Sequence, residues 1–397
     1  MRKGGRLLTI VITAVITFFV SSFIFTAFGN GYIRDFLSLN DDMAKFNKVR
    51  SLIDSMYIDI DEVDQERMMD EALYGYTYGV GDPYTEYYSA EEYASFDQQM
   101  EGSYVGVGII LNVNDKNQIE AESTYEDSPG EKAGVLPGDI ILKVDGKEYD
   151  GEMYKEAVDR MRGTHIEEPK DTKVVLTIDR DGKNIDITVT RGEVVTSPVK
   201  WKMYDEGIGY IRLSMFDRIV NVHFADALEE LQEGGMQKLI IDLRGNPGGD
   251  YDVVCDIADM LLPKCTIVYT EDKSGKKEYK NSDKYGLDMP MAVLVNDGSA
   301  SASEILAGTL KVNEKAIIIG TKTFGKGVVQ TIFPFEDGSG VKITTAKYYL
   351  PNGESIHGEG VKPDIEVKLP EETKKNIPQL TLEEDTQLSR AILELKK

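Results

Sequence analysis

The sequence predicts an α/β protein. Its core joins a mixed β-sheet to helices, carries a smaller β-rich insert and follows a helical segment and one apolar span. Three observations predict this. After Gly192, short apolar runs of strand length alternate with segments of helical periodicity, the pattern of a layered α/β core. Between Gly102 and Gly192 the spacing changes to short alternating strands broken by Gly, Pro and Asp-Gly turns. Near the start, no charged residue occurs from Leu7 to Ile33.

Composition sets the outer bounds. The 397 residues are 41% hydrophobic and 29% charged, which fits a globular chain of two or three domains. Lys and Arg number 45 against 69 Asp and Glu, a net charge of −24 that repels phosphate backbones and excludes a nucleic-acid partner. Two cysteines can build neither a disulfide framework nor a Cys-rich zinc site. His165, His223 and His357 stand too far apart for a His-x-x-x-His metal pattern, so no metal or other cofactor is expected.

Taken in order, Leu7–Phe28 is almost wholly apolar and follows Arg2, Lys3 and Arg6. Its length at helical rise is about 33 Å, enough to span a bilayer. The basic flank predicts a cytoplasmic start and a single-pass protein of the cell membrane with everything after residue 30 outside the cytoplasm. Ala27-Phe28-Gly29 is a serviceable cleavage site, so removal of the segment stays an alternative. Asp35–Met56 has helical apolar spacing from Phe36 to Met56, suited to packing on its own domain or to pairing with a second copy. Gly79–Tyr93 reads as a turn and then a helix capped by Ser89.

The insert reads as a Gly-punctuated strand "YVGVGIILNV", a short helix near Glu131–Gly134, a strand Ile140–Val144 and an Asp145-Gly146 turn. A helix "MYKEAVDRMRG" and a hairpin about Asp181-Gly182 complete it. In the core, "GIGYIRLSMF", "KLIIDLRG", "MAVLVND" and "AIIIG" read as strands. Val220–Leu231, Tyr251–Leu262 and Ser301–Lys311 read as helices, and Thr381–Leu395 as a final amphipathic helix. The implied divisions are 1–30, 31–95, 96–192, 193–370 and 371–397.

Two stretches could carry chemistry. In "VLVNDGSASASEILAGTL" a buried strand runs into a helix through a serine run, and a helix N-terminus favours developing negative charge. Ser301 lies three residues before Glu304 and fits a capping box; Ser299 and Ser303 compete with it for either role. In "IIIGTKTFGKGVVQTIFPF", Gly320, Gly325 and Lys326 imitate a P-loop. Gly327 stands where a Ser or Thr would hold Mg²⁺, and a β-rich stretch follows where a helix is needed. A desolvated Lys326 suits a general base instead, since burial disfavours the cation, and Gln330 could orient the amine without adding charge.

The serine run with Lys326 25 residues after Ser301, then Gln330, resembles the carboxy-terminal processing peptidases of the tail-specific type. "GYIRLSMF", "DLRGNPGG", "GTKTFGKG" and "GVKPDI" occur in that family's order. The resemblance implies a crotonase/Clp-like core and a serine endopeptidase with Ser301 as nucleophile, Lys326 as general base and Gln330 as its orienting partner. It also implies oxyanion donors from Ala302 and from Gly248 or Gly249. The insert likewise resembles a PDZ domain, with Tyr104, Val105, Gly106, Val107 and Gly108 at the carboxylate-binding loop and protein C-termini as ligands. By position Arg162 matches an arginine that couples peptide binding to the active site in some relatives, with Arg160 next. An inactive scaffold of the same family is the alternative, against which the intact Ser301, Lys326 and Gln330 count.

Overall fold

The computed structural model describes residues 32–397 other than 126, 197–198, 284–285, 371–376 and 378–379. The apolar span Leu7–Phe28 lies outside them. Among the described residues no helix is long and apolar enough to cross a membrane. The chain divides after Leu73 into two units. In the first, helix α1 (Tyr32–Met56) bears out the expected helix, and its stripe of Met43, Phe46, Val49, Leu52 and Met56 is exposed. Helix α2 (Gln65–Tyr78) leads out of this unit.

The second unit begins at Tyr74 within α2 and continues with strand β1 (Glu86–Tyr88) and helix α3 (Ala90–Glu101). Ser89 caps α3 in a full capping box with Glu92, as its spacing implies. The insert follows. It contains β2 (Ser103–Gly106), β3 (Ile109–Val113), β4 (Ile119–Thr124), α4 (Pro129–Ala133) and β5 (Ile140–Val144). After these come β6 (Lys147–Glu148), α5 (Tyr154–Arg162), β7 (Lys173–Arg180), β8 (Lys183–Thr190) and β9 (Gly192–Val195). Its sheet runs β3-β4-β5-β7-β8, with β6 beside β5, around a core that includes Ile119, Ile141, Leu176 and Met161. Positive φ at Asp181 and Gly182 makes the tight hairpin that the Asp-Gly pair predicts.

One expectation fails here. "YVGVGIILNV" is two strands: β2 pairs with β9, and β3 pairs with β4. The break falls at Gly108, whose φ of 69° takes the chain close against Ser128. A Cβ at Gly108 would lie 2.4 Å from the Ser128 Cβ, so only glycine fits this crossing.

The core begins with β10 (Lys200–Tyr204), β11 (Ile208–Arg212), α6 (Val220–Glu233), β12 (Lys238–Asp242) and α7 (Tyr251–Leu261). It continues through β13 (Thr266–Asp272), β14 (Lys277–Asn281), β15 (Met291–Val295), α8 (Ala302–Val312) and β16 (Ala316–Gly320). It ends with β17 (Val328–Pro334), β18 (Gly340–Tyr349), β19 (Ile365–Glu366) and α9 (Thr386–Leu395). The main sheet runs β10-β11-β12-β15-β16-β19 and is parallel except at β10, a mixed sheet as expected. Alternation within β12 and β15 sends Leu239, Ile241 and Val293 to the face covered by α6, α7 and α8. Ile240, Ala292 and Leu294 go to the face covered by Leu388, Ala391 and Leu395 of α9. Cover on both faces explains why these strands read as unbroken apolar runs.

The second sheet, β1-β18-β13-β14 with β17 beside β18, has no forecast in the sequence reading for most of its strands. β14 is exposed at every residue, so it lacks the apolar alternation that marks a half-buried strand. The final helix starts at Thr386, not Thr381. The Asp385 carboxylate accepts the Leu388 N–H at 2.9 Å and caps it there, while Thr381 turns back on Glu384.

Candidate active site

β15 is wholly buried and delivers the chain into the serine run at the start of α8. The three serines have different neighbours. Ser299 is buried; its hydroxyl donates to the Leu243 carbonyl at 2.8 Å and accepts the Asn296 N–H at 3.0 Å. Ser303 is buried and donates to the Asn246 carbonyl at 2.9 Å. Both hydroxyls fasten the segment after β12 to the segment after β15. Ser301 stands half-exposed with φ 53° and ψ −114°, a backbone state rare for a side-chain-bearing residue. It pairs with Glu304 in the predicted capping box, but the firm bonds run through the backbone. The Glu304 carboxylate accepts the Ser301 N–H at 2.9 Å, and the Glu304 N–H goes to the Ser301 carbonyl at 2.8 Å. No side-chain hydrogen bond caps α8 at Ser301.

Glu304 does more than cap. It is fully buried and also accepts the Thr323 hydroxyl at 2.5 Å, the Gly325 N–H at 2.7 Å and the Lys326 N–H at 2.8 Å. One carboxylate therefore holds the backbone of both Ser301 and Lys326. The Tyr348 hydroxyl adds a second brace, donating to the Lys326 carbonyl at 2.6 Å and the Ser301 carbonyl at 3.1 Å. Sequence reasoning saw Glu304 only as a cap and did not single out Tyr348; no local spacing ties either to Lys326.

Ser301, Lys326 and Gln330 line one cavity of about 470 Å³, together with Ala302 and Gly249. None of the three histidines lines it. Burial holds the Lys326 amine below the ordinary lysine range, aided by the charge of Lys342 and opposed by Glu86, Asp82 and Glu304. Its Nζ lies 4.8 Å from the centroid of the Tyr84 ring. Tyr84 is a second residue the sequence reading passed over, having treated its segment as a turn. Gln330 donates to the Thr344 hydroxyl at 3.3 Å across the β17–β18 pair, not to Lys326. The spacing of four residues suggests one face, but Lys326 precedes β17 and a register shift falls between Val329 and Gln330.

The two candidate glycines are distinguished by their bonds. The Gly248 N–H donates to the Asn246 side chain at 2.9 Å, and its carbonyl accepts the Phe216 N–H at 2.9 Å. Gly248 is packed under the serine: a Cβ on it would come within 2.8 Å of the Ser301 Cβ and 3.0 Å of the Ala302 nitrogen. Gly249 lines the cavity and Gly248 does not. Both have positive φ, 104° and 143°. The loop that carries them is fixed from behind by Arg244, fully buried. Its guanidinium pairs with Asp242 and Asp385, each at 2.7 Å, and donates to Gln387 at 3.0 Å.

A second cavity of about 510 Å³ lies along the insert, between β3 and α5. Tyr104 and Val107 of the expected carboxylate loop line it, whereas Val105, Gly106 and Gly108 do not. Gly106 instead sits opposite Gly192 in the β2–β9 pair, so the two glycines do not jointly present N–H groups to this cavity. Arg162 lines it with its guanidinium 5.0 Å from the Tyr104 ring centroid. Arg160 instead meets Asp145 at 3.3 Å, which separates the two arginines. Among the described residues no group of three or more His, Cys, Asp or Glu could hold a metal ion.

Comparison with known proteins matches this architecture. The model of peptidase family S41 fits residues 207–367, and the PDZ domain model fits residues 120–180. The carboxy-terminal processing protease CtpA of Bacillus subtilis is 35% identical over 372 residues, 93% of this chain and 77% of that one. The carboxyl-terminal-processing protease of Synechocystis is 41% identical over 297 residues, 73% of this chain and 68% of that one. A solved Bacteroides fragilis structure assigned to the S41 proteases superposes over 87% of this chain and 96% of its own, with a TM-score of 0.51 at 16% identity. The chain therefore belongs to peptidase family S41 and is a serine endopeptidase of the carboxy-terminal processing type.

Proposed function

We propose that the protein cleaves unfolded extracytoplasmic proteins after engaging their C-termini in the insert groove, with Ser301 and Lys326 as the reacting pair. The observation that carries this reading is the division of labour among the serines. Ser299 and Ser303 are committed to carbonyls, whereas Ser301 faces the cavity that it shares with Lys326 and Gln330. The neutral Lys326 amine takes the Ser301 hydroxyl proton as Oγ attacks the scissile carbonyl. The resulting oxyanion is met by the N–H groups of Ala302 and Gly249, at the start of α8 where the helix dipole also favours negative charge. The lysine returns its proton to the departing amine, and water, deprotonated in turn by Lys326, hydrolyses the acyl-enzyme. For this, Lys326 must swing from the Tyr84 ring toward Ser301, with Gln330 turning from Thr344 to hold it.

In the groove, the guanidinium of Arg162 supplies the positive group that a terminal carboxylate would meet, and a peptide can add along the edge of β3. Peptides ending in a free carboxylate should be cut several-fold faster than their C-terminal amides, and Arg162→Ala should erase that preference. Equal rates for both peptides would remove the groove from substrate selection. The anchor Leu7–Phe28 and a dimer through α1 complete the proposal, the latter because the apolar stripe of α1 is exposed. The intact chain should fractionate with membranes and show the mass of two copies in detergent. A soluble monomer beginning near Asn30 would refute both.

A further inference from the structure

Lys342 stands at the edge of the catalytic cavity, which it lines together with Lys326 and Gln330. It comes from β18, where its backbone partners are Ile332 of β17 and Glu86 of β1. Its ammonium is held on every side. The Glu86 carboxylate accepts from it at 2.7 Å and the Tyr88 hydroxyl at 2.6 Å. It lies 5.2 Å from the Tyr88 ring centroid and 5.9 Å from that of Phe96, and these two rings stack at 5.4 Å. Burial works against its charge, but Glu86 and Tyr88 outweigh burial and hold the amine above the usual lysine range. A permanent cation in a protease cavity is costly to desolvate, and none of the bond-making steps above uses it.

We propose that Lys342 is a positioning residue for the proton transfer: a fixed, ion-paired positive charge in the same cavity as Lys326, which leaves Lys326 the free amine of the two. The proposal rests on the Ser-Lys reading above. The charges that face Lys326 come from several elements. Asp82 and Glu86 reach it from before and within β1, Glu304 from α8, and Lys342 from β18. The Tyr84 ring lies against its Nζ, and the Tyr348 hydroxyl bonds its carbonyl. The three carboxylates favour the lysine cation, and Lys342 is the positive member of the set. Two like charges in one poorly solvated cavity cannot both be held cheaply, and Lys342 keeps its own through Glu86.

The test is kcat/KM for a short peptide against pH, with the intact chain in detergent. Lys342→Met should move the rising limb to higher pH, lowering the rate on that limb roughly three- to tenfold while the two profiles converge at alkaline pH. Glu86→Gln should move the limb the opposite way, because it removes a charge that favours the cation. Lys342→Arg, which preserves the charge, should bring the limb back toward that of the parent. A Lys342→Met protein whose rate falls equally at every pH, or whose limb stays in place, overturns the proposal. If Lys342→Met does not fold, Lys342→Gln takes its place, and an unmoved limb in that variant overturns the proposal. An active Lys326→Arg enzyme would remove the Ser-Lys reading beneath it, a different result from an unmoved limb.

Discussion

Ser301→Ala should lose peptide hydrolysis by about a millionfold, the scale on which a nucleophile acts when it works as a unit with its base. The fold should be untouched. Ser301 makes no side-chain hydrogen bond that caps α8, and its backbone N–H is held by Glu304 whatever side chain it carries. Ser299→Ala and Ser303→Ala should show the reverse pattern. Each removes a buried hydroxyl that serves a buried carbonyl, at a cost of about 1–3 kcal/mol in stability, and each leaves the nucleophile in place. Activity assays and thermal melts of the three variants together separate the roles. Retained hydrolysis in Ser301→Ala would end the assignment.

Lys326→Arg should be as inactive as Ser301→Ala, because guanidinium stays protonated and cannot accept the serine proton. Lys326→Ala should be equally inactive, with no further loss in the double variant. Gln330→Ala should be milder, since it removes orientation and not the base. The pH dependence has a definite sign. Burial, with help from Lys342, lowers the value at which Lys326 loses its proton, so the rate should rise with pH through a range below that of a solvated lysine. Stability carries the same signature. The unfolded chain binds a proton at Lys326 more tightly than the folded chain does. Stability should therefore rise with pH from the folded value up to the ordinary lysine value near 10.5, and the cost of burying the cation is greatest below that window. Lys326→Met should accordingly be more stable than the parent near neutral pH while being inactive. Near-normal hydrolysis by Lys326→Arg would reduce the lysine to a mere positive charge.

The elements that proved legible share a physical cause. β12, β15 and β16 are strongly apolar because both faces of the main sheet are covered, and α5 and the β7–β8 hairpin follow from local spacing and an Asp-Gly turn. What stayed hidden depends on long-range partners. β14 carries charged and polar residues and is a strand only because β13 pairs with it. The start of α9 is fixed by Asp385, which also serves Arg244 from 141 positions away. In the site, spacing leaves Ser299, Ser301 and Ser303 open and the family resemblance points to Ser301; the hydrogen bonds of Ser299 and Ser303 supply the physical reason. Tyr84 meets Lys326 from far along the chain and Lys342 comes from β18, the strand paired with β17, so neither shows in local spacing. Gln330 lines the same cavity as Lys326, but a register shift falls between Val329 and Gln330 and its amide donates to Thr344, a partner no local spacing shows.

The four bonds to Glu304 have a consequence for time. Because one carboxylate grips the main chain at Ser301, Gly325 and Lys326, the backbone spacing of the proposed nucleophile and base is built into the fold. What remains free is the rotation of two side chains, Lys326 away from Tyr84 and Gln330 away from Thr344. Both side chains are partly buried, so their rotations are slower than those of exposed ones, but neither requires a loop to be rebuilt. On the proposed mechanism a bound peptide therefore meets a backbone already in register, and only two side chains have to reorient before attack.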